Sequence, residues 1–390
     1  MPRDTELDAI TVDSLRAAGS VKWTAFPDTL GAFVAEMDFG TAPPVARALH
    51  DAVDRGLLGY LPGHLEVGMQ RAYAAFALRR FGWEVDPQRV RPVPDVLVAF
   101  EAVLTHFTRP GSPVILPTPA YMPFLPLPAD LGREVLQVPL VPDEAHGGRY
   151  AYDLDALDAA FASGAQLLVL VNPHNPTGRV LERAEMLAIS EVVERHGGRV
   201  FADEIHAPLV HPGHQHVPYA SVSAATAAHT ITATSASKAW NVPGLKAAQL
   251  VLSDEADARR WSRVGRWVEH MVATPGVVAH TVAYDDGEPW LQDVLRYLDG
   301  NRRLLGTLVD ELLPGVRYTP PEGTYLAWLD VRGAGLDQPA RFFREAAGVA
   351  LTDGADCGRA GEGFVRLTLA TPRPVLTEIV ERMADALAAR

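Results

Sequence analysis

The chain has little of what several protein classes require. Among its 390 residues there is one cysteine, Cys357, which cannot form a disulfide within the chain. The longest apolar runs, such as Leu167–Val171, are far too short to span a bilayer. Residues 1–6 lack the apolar core of a signal peptide. We therefore expect a cytoplasmic protein rather than a secreted or membrane-spanning one.

Positive charge is also in short supply. There are 35 Lys and Arg residues against 48 Asp and Glu residues, which leaves a net charge of −13. Nucleic acids and anionic membranes attract basic surfaces, so we expect neither as a partner. Apolar residues at 48% and charged residues at 21% are ordinary for a globular enzyme. The length suits two domains.

What the sequence does contain is a recurring pattern of a short apolar run, a turn rich in Gly, Pro or Asn, and a helical periodicity. The runs are residues 113–116, 167–171, 199–202 and 230–234. Continuous apolar strands that alternate with helices predict an α/β fold, with a mostly parallel sheet covered by helices.

After about residue 285 the pattern changes to a long helix, two strand-like runs and a closing helix. This order predicts a smaller α+β domain. We accordingly expect an N-terminal segment, residues 1–45, that packs with the small domain. A large domain would cover residues 46–285, and the small C-terminal domain would cover residues 286–390.

The apolar runs end in polar or aromatic residues that carry chemistry. Tyr121, Asn175, Asp203 and Lys238 each follow one of the four runs. Ligands of open α/β sheets bind beyond the carboxyl ends of the strands. We therefore expect these four side chains to converge on one site.

Lys238 follows Ser235 and Ser237 at the end of its run. A lysine that is partly desolvated at a sheet end is a usable amine nucleophile. Hydroxyl and backbone N–H groups beside it can hold a phosphate. The combination suits pyridoxal phosphate, an aldehyde cofactor with a phosphate arm, although most Ser-Lys pairs are surface residues.

The other strand-end residues each admit two interpretations. Asp203 could keep a pyridinium nitrogen protonated or could cap a helix. Asn175 could donate to a ring oxygen or only form a turn. Tyr121 could stack on a ring or only pack in its loop. His206 lies three residues after Asp203 and would share its side of a helical segment.

Arg366 lies inside the apolar run around Phe364, Val365 and Leu367. A buried arginine there needs an anionic partner. A substrate carboxylate would supply one through bidentate hydrogen bonds, and so would a carboxylate of the chain. The sequence leaves both possibilities open.

Three ordered blocks are similar to fold-type I pyridoxal phosphate enzymes of the class I/II aminotransferase type. They are Asn172-Pro173-His174-Asn175-Pro176-Thr177-Gly178, Asp203-Glu204-Ile205-His206 and Ser235-Ala236-Ser237-Lys238. Further segments, including Val34-Ala35-Glu36-Met37-Asp38-Phe39 and Gly363-Phe364-Val365-Arg366-Leu367, resemble MalY/PatB-type C–S β-lyases. This narrower resemblance extends from about residue 20 to the end of the chain.

The resemblance implies a pyridoxal-phosphate-dependent lyase that cleaves cystathionine or a related S-substituted L-cysteine to a thiol, pyruvate and ammonia. The alternative is an aminotransferase that uses a 2-oxo acid acceptor. A regulatory protein acting through a partner is a third possibility. The absence of a basic patch and the intact Lys238 and Arg366 weigh against it.

The resemblance also implies a role for each residue of the reacting centre. Lys238 would form the Schiff base with the cofactor. Asp203 would pair with the pyridine nitrogen, and Asn175 would donate to the ring oxygen. Tyr121 would stack on the ring, with His206 near its edge. The substrate would be bound by Arg366, with Tyr325 and Trp240 as further candidates for the pocket wall.

The same resemblance implies how the phosphate is held. Its ligands would be two hydroxyls and two backbone N–H groups, at Ser235, Ser237, Val96 and Leu97. Tyr60 would reach the phosphate of a neighbouring subunit, which implies a homodimer. Lys246 stands where many aminotransferases have an arginine, so it would act only as a point charge. Asp95 is an acidic residue in the phosphate loop, where repulsion is conceivable.

Two other features receive no catalytic role. His211, His214 and His216 form a short histidine-rich tract, with His206 nearby. Such tracts can bind zinc, but no cysteine pair accompanies this one and Pro-Gly marks a surface loop. We expect no metal site. Nothing around Cys357 marks it as a nucleophile.

Overall fold

The computed structural model describes residues 4–143 and 148–390. Residues 1–3, part of the stretch considered as a possible signal peptide, lie outside the described residues. Among the helices that are described, none is long and apolar enough to cross a membrane.

The strands are short and follow one another through the whole chain. They are β1 Leu30–Gly31, β2 Val90–Val93, β3 Val114–Thr118, β4 Val135–Pro139, β5 Val141–Asp143, β6 Arg149–Ala151, β7 Leu167–Val171, β8 Arg199–Asp203, β9 Thr230–Thr234, β10 Ala248–Leu252, β11 Arg317–Tyr318, β12 Leu326–Asp330, β13 Val349–Ala350, β14 Thr352–Asp353 and β15 Phe364–Thr368.

The α-helices alternate with these strands. They are α1 Asp4–Asp8, α2 Val12–Ala18, α3 Val21–Thr24, α4 Pro43–Asp54, α5 Gly63–Phe81, α6 Val96–Phe107, α7 Pro126–Asp130, α8 Leu154–Ala162, α9 Arg183–Arg195, α10 Ala224–His229, α11 Glu255–Val264, α12 Arg266–His270, α13 Thr274–Asp286, α14 Glu288–Leu312, α15 Pro339–Phe342 and α16 Arg373–Ala388.

The central sheet has seven strands in the order β2-β10-β9-β8-β7-β3-β4. All neighbours are parallel except β10, which is antiparallel to both β9 and β2. A chain that returns without a crossover helix must run antiparallel. The chain between β9 and β10 contains no α-helix, only the short 3₁₀ turn Pro243–Leu245. The prediction of a mostly parallel α/β sheet is confirmed.

Helices cover both faces of this sheet, as the alternation along β7 illustrates. Leu167, Val169 and Val171 pack into one apolar core with residues of α6. Leu168 and Leu170 pack into a second core with residues of α8 and α9. Because successive side chains of a strand point to opposite faces, one continuous apolar run serves both cores.

A second, four-stranded antiparallel sheet has the order β11-β12-β15-β14. Trp328, Arg366 and Thr352 lie opposite one another on the neighbouring strands β12, β15 and β14 and so share one face. Residues of α14 and α16 pack in the adjoining apolar core. The division of the chain at residues 45 and 285 stays a prediction.

The N-terminal segment is attached to this second sheet region. Strand β1 pairs in parallel with β13, and the Asp38 N–H donates to the Ala370 carbonyl. A buried ion pair joins Lys22 Nζ to Asp38 Oδ2 at 2.6 Å. Trp23 Nε1 donates to the other oxygen of Asp38 at 2.8 Å. These contacts hold the chain around residue 35 in a defined position.

Candidate active site

Four adjacent parallel strands end at the same edge of the central sheet. Their order is β9-β8-β7-β3, so the turns that follow them lie side by side. These turns carry Lys238, Asn175 and Tyr121, and Asp203 is the last residue of β8. Asp203 and Lys238 influence each other's ionisation, and the charge of Asp203 contributes to raising the pKa of Tyr121. The predicted strand-end residues therefore do come together.

Lys238 presents a buried amine with no carboxylate partner at ion-pair distance in the described chain. Its Nζ donates a 3.0 Å hydrogen bond to the Ala35 carbonyl. Burial, reinforced by the charge of Arg366, lowers the pKa of Lys238 to about 8. About a tenth of this amine is therefore uncharged at pH 7, and the uncharged form is the one that acts as a nucleophile or base.

Asp203 offers a buried carboxylate that is only partly committed. Its Oδ1 accepts from the Ile205 N–H at 3.1 Å, and its second oxygen has no hydrogen-bond partner in residues 4–143 and 148–390. No helix begins here, so the residue forms a turn bond rather than a helix cap. Burial raises the pKa of Asp203 to about 7. A cation beside it would favour the ionised form.

Arg366 reaches across from β15 to the strand-end site. One guanidinium nitrogen donates to Asn175 Oδ1 at 3.0 Å, and the other donates to the Phe33 carbonyl at 2.9 Å and to Thr352 Oγ1 at 3.1 Å. Because the Asn175 oxygen accepts from Arg366, the NH₂ group of the amide is turned away from it and can donate elsewhere.

The buried charge of Arg366 has no counter-ion in the described chain. Its side chain is buried, and its partners are amide, carbonyl and hydroxyl oxygens rather than a carboxylate. Burial lowers the pKa of Arg366. Of the two possibilities left open by the sequence, an internal salt bridge is therefore not found among residues 4–143 and 148–390. A buried cation of this kind is complementary to a carboxylate brought by a ligand.

Aromatic residues line the remainder of the site. His206 is buried, its Nδ1 has no hydrogen-bond partner within the described residues, and burial lowers the pKa of the ring to about 3. Its ring meets that of Tyr325 edge-on at 6.0 Å. The Tyr325 hydroxyl donates to the Ala35 carbonyl at 2.9 Å. Burial raises the pKa of Tyr121, with Arg366 opposing the shift, so Tyr121 is a neutral phenol close to Arg366.

The N-terminus of α6 provides an anion-binding end to the site. The first N–H groups of a helix have no acceptor within it. Asp95 caps Val98 through Oδ1 at 2.8 Å, and its Oδ2 pairs with Lys246 Nζ at 2.9 Å. The N–H groups of Val96 and Leu97 remain as donors. The positive charge of Lys246 offsets the negative charge of the Asp95 carboxylate, which would otherwise repel a phosphate.

The two serines before Lys238 differ in their engagement. Ser235 Oγ donates to the Ala247 carbonyl at 2.9 Å and accepts from the Ser237 N–H at 3.0 Å. Its hydroxyl proton is therefore used to shape the loop between β9 and β10. Ser237 is buried in the same loop.

Two other predicted residues stand apart from this cluster. Tyr60 is 86% exposed, and its ring stacks on His270. Trp240, suggested as a pocket wall, instead packs in the core against Phe76 and Tyr284 and donates to the Gly287 carbonyl. The suggestion that Trp240 forms a pocket wall was wrong, because its ring is buried in the apolar core.

The histidine-rich tract is divided between separate partners. His211 Nε2 contacts the Thr324 carbonyl at 2.9 Å, whereas His216 Nε2 contacts Glu204 Oε2 at 3.3 Å. Within the part of the chain that the structure describes, no group of three or more His, Cys, Asp or Glu residues could hold a metal ion.

The segment around residue 35 contributes contacts for which sequence reasoning assigned no role. The Phe33 carbonyl accepts from Arg366, and the Ala35 carbonyl accepts from both Lys238 and Tyr325. Residues 34–39 form the block that resembles the MalY/PatB-type C–S β-lyases. Backbone carbonyls leave no residue-type pattern, so that block was the only available pointer.

Comparison with known proteins supports the resemblance to pyridoxal phosphate enzymes that was inferred from the sequence. Cystathionine beta-lyase of Corynebacterium glutamicum is 38% identical over 96% of this chain and 99% of its own length. Cystathionine beta-lyase PatB of Bacillus subtilis is 31% identical, over 94% and 96% respectively. A solved structure of a candidate PLP-dependent β-cystathionase from Corynebacterium diphtheriae has a TM-score of 0.91 and 38% identity, covering 97% of this chain and 98% of that one.

The family assignment comes from a profile described as aminotransferase class I and II, which matches residues 33–383. With the relatives above, it confirms the resemblance stated from the three sequence blocks and the expected fold-type I architecture. The chain belongs to the aminotransferase class I and II family.

Proposed function

We propose that the protein is a pyridoxal-phosphate-dependent C–S β-lyase. Its substrate would be cystathionine or a related S-substituted L-cysteine, and its products a thiol, pyruvate and ammonia. The names of the relatives from Corynebacterium and Bacillus support this reaction. The observation that carries an amino-acid substrate is the buried Arg366 guanidinium, which has no carboxylate partner in residues 4–143 and 148–390 and lies beside Asn175.

The residues present fit pyridoxal phosphate. Asp203 keeps one buried carboxylate oxygen uncommitted, as a pyridine nitrogen requires. The Asn175 amide has its NH₂ group available because its oxygen is occupied by Arg366. The first N–H groups of α6 suit a phosphate. Lys238 offers the amine for the aldehyde, and Tyr121 and His206 offer ring surfaces.

When bound, pyridoxal phosphate supplies an electron sink that weakens the bonds to the α-carbon of an amino acid. Arg366 would hold the substrate carboxylate through two hydrogen bonds and so fix the orientation of the α-carbon. The Lys238 amine would take the α-proton onto Nζ. The Ala35 carbonyl, which accepts from Nζ at 3.0 Å, would orient that amine. Sulfur would then leave the β-carbon as a thiolate that takes up a proton, and water would hydrolyse the released enamine to pyruvate and ammonia.

An aminotransferase is the second candidate, because the matching family profile carries that description. The same Lys238, Asp203 and Arg366 would serve this reaction. Lys238 would return the proton to a carbon other than the α-carbon, and no bond to sulfur would break. The requirement for a 2-oxo acid acceptor separates the two reactions.

The deciding experiment is to incubate the purified holoenzyme with L-cystathionine and no 2-oxo acid, and to follow pyruvate and thiol. A C–S lyase releases pyruvate continuously, well beyond one equivalent per subunit. An aminotransferase breaks no bond to sulfur, so it releases neither pyruvate nor thiol and instead converts an added 2-oxo acid to the corresponding amino acid. Absence of pyruvate and thiol, together with absence of amino acid formed from an added 2-oxo acid, would contradict both candidates.

We also propose a homodimer in which Tyr60 serves the neighbouring subunit's site. Tyr60 and Trp267 are 86% and 73% exposed, and both rings contact His270. Such a cluster of exposed aromatic rings is typical of a surface that is covered in an assembly. Light scattering gives the mass directly, and a monomer would contradict the proposal.

We propose a cytoplasmic location because the one cysteine, Cys357, is buried and cannot serve a disulfide framework. Fractionation of the producing cell tests it. The expected lack of nucleic-acid partners and the three-part division of the chain remain predictions.

A further inference from the structure

The N-terminal segment contributes one charged side chain next to the site. Residues 33–35 line the site through their backbone, with the Phe33 carbonyl on Arg366 and the Ala35 carbonyl on Lys238 and Tyr325. Glu36 follows directly and is half-buried. Its carboxylate raises the pKa of Lys238 and of Tyr325, so its charge acts on the same space.

Glu36 has no cation at ion-pair distance among the residues that the structure describes. Asp38, two positions further along, is in the opposite situation because it is buried against Lys22 and Trp23. The segment between them is also clamped, since Asn241 exchanges hydrogen bonds of 2.9 Å with the N–H and carbonyl groups of Met37. Glu36 is thus an unpaired carboxylate on a fixed backbone.

The charges of the site can be assigned to parts of an amino-acid substrate. Arg366 takes the α-carboxylate, and Asp203 is occupied by the cofactor ring nitrogen. The α-amino group must be uncharged to act as a nucleophile, so it offers Glu36 no lasting positive charge. Lys238 must likewise be uncharged in order to take the α-proton. The remaining place for a lasting cation in the bound complex is therefore the far end of the substrate side chain, beyond sulfur.

We propose that Glu36 is a specificity-determining residue that favours S-substituted cysteines whose leaving group carries an ammonium. This inference rests on the proposed function. A half-buried carboxylate loses part of its hydration, and an ammonium at salt-bridge distance restores favourable interactions. A neutral leaving group of the same shape leaves the carboxylate unpaired. Glu36 therefore discriminates by the charge of the side chain and not by its length.

Binding without turnover tests the inference independently of the reaction. L-Lysine and L-norleucine have side chains of similar length, with an ammonium or a methyl group at the end and no sulfur to expel. Titration calorimetry on the holoenzyme should give lysine about tenfold tighter binding than norleucine, corresponding to one charge-assisted pair. Glu36→Gln should reduce that ratio to about one, while norleucine binding stays the same.

Turnover supplies the second readout. S-(2-Aminoethyl)-L-cysteine and S-propyl-L-cysteine differ in the same way, by an ammonium against a methyl group. Glu36→Gln should lower kcat/KM for the aminoethyl compound by about tenfold through KM and change the propyl compound by less than about twofold. Glu36→Asp should restore part of the preference. Glu345→Gln, which removes an exposed carboxylate paired with Arg341, should change neither substrate.

The possible results separate the two proposals. Equal losses for both substrates on Glu36→Gln, or equal binding of lysine and norleucine to the wild-type holoenzyme, would overturn the role of Glu36. Absence of pyruvate from all sulfur substrates, with the lysine preference intact, would overturn the lyase and leave charge selection by Glu36 in place.

Discussion

Two buried lysines in this molecule have opposite surroundings. Lys22, under the N-terminal segment, pairs with Asp38 at 2.6 Å, and neither side chain has appreciable exposure. Lys238, at the end of β9, donates only to a backbone carbonyl. The arginines repeat the contrast. Arg179 pairs with Glu185 and Glu322 at 2.6–2.7 Å, whereas Arg366 contacts amide, carbonyl and hydroxyl oxygens.

The difference separates buried charges that stabilise the fold from buried charges that are available to bind a ligand. A buried ion needs compensation, and the chain supplies it completely for Lys22 and Arg179. At the strand ends compensation is left partial, and we propose that a substrate carboxylate completes it for Arg366. Arg133 refines the rule, because it too is buried without a carboxylate but binds carbonyl and hydroxyl oxygens at the C-terminus of α6, where the helix dipole favours a cation.

The largest expected effect comes from removing the uncompensated lysine. Lys238→Ala should lower turnover of any substrate by about 10³-fold or more, because nucleophile and base are lost together. The fold should survive, because the substitution removes a buried amine and breaks no ion pair. Steady-state kinetics and thermal unfolding measure the two quantities. The exposed Arg341 is the control, and comparable losses for Arg341→Ala would contradict the distinction.

Removing the compensated lysine should act on stability. Lys22→Met leaves Asp38 as an unpaired buried carboxylate and should lower the free energy of unfolding by about 3–5 kcal/mol. The double variant Lys22→Met/Asp38→Leu should recover much of that loss, since both charges are gone. Chemical denaturation of the three proteins measures this. A double variant less stable than Lys22→Met would show that the pair is not compensated as described.

A smaller effect should appear as a pH dependence of the cofactor-free protein. The folded-state pKa of Asp203 is raised to about 7 from the ordinary 3.8, so the folded chain holds a proton that the unfolded chain has released. Stability from this group is complete below the unfolded pKa and falls as pH rises towards 7.

Between about pH 5 and pH 7 the loss should reach about 2 kcal/mol, and Asp203→Asn should abolish it. Denaturation midpoints of both proteins across this range provide the measurement. Parallel curves for wild type and Asp203→Asn would mean that the Asp203 carboxylate is not desolvated in the absence of the ring.

Much of the fold and part of the site could be predicted from local sequence. The apolar runs at Leu167–Val171 and Thr230–Thr234 match strands residue for residue, since buried parallel strands read as continuous apolar stretches. Their common direction placed Asn175, Asp203 and Lys238 at one edge. The turn chemistry could not reveal that β10 runs antiparallel.

Other site features depend on contacts between distant parts of the chain. Whether Arg366 has a carboxylate partner is decided by β7, β14 and the N-terminal segment together. The carbonyl of Ala35 reaches Lys238 from a segment in which Asp38 is anchored on Lys22. A local pattern contains neither fact.

The central claim is that the substrate carboxylate supplies the counter-ion that Arg366 lacks. Its most direct measurement is a ligand-and-residue cycle by calorimetry on holoenzyme, using L-norleucine and n-pentylamine with wild type and Arg366→Met. Removing the carboxylate should weaken binding to wild type by about 100-fold and to Arg366→Met by about threefold or less. An equal loss in both proteins would contradict the account, because the carboxylate would then bind elsewhere.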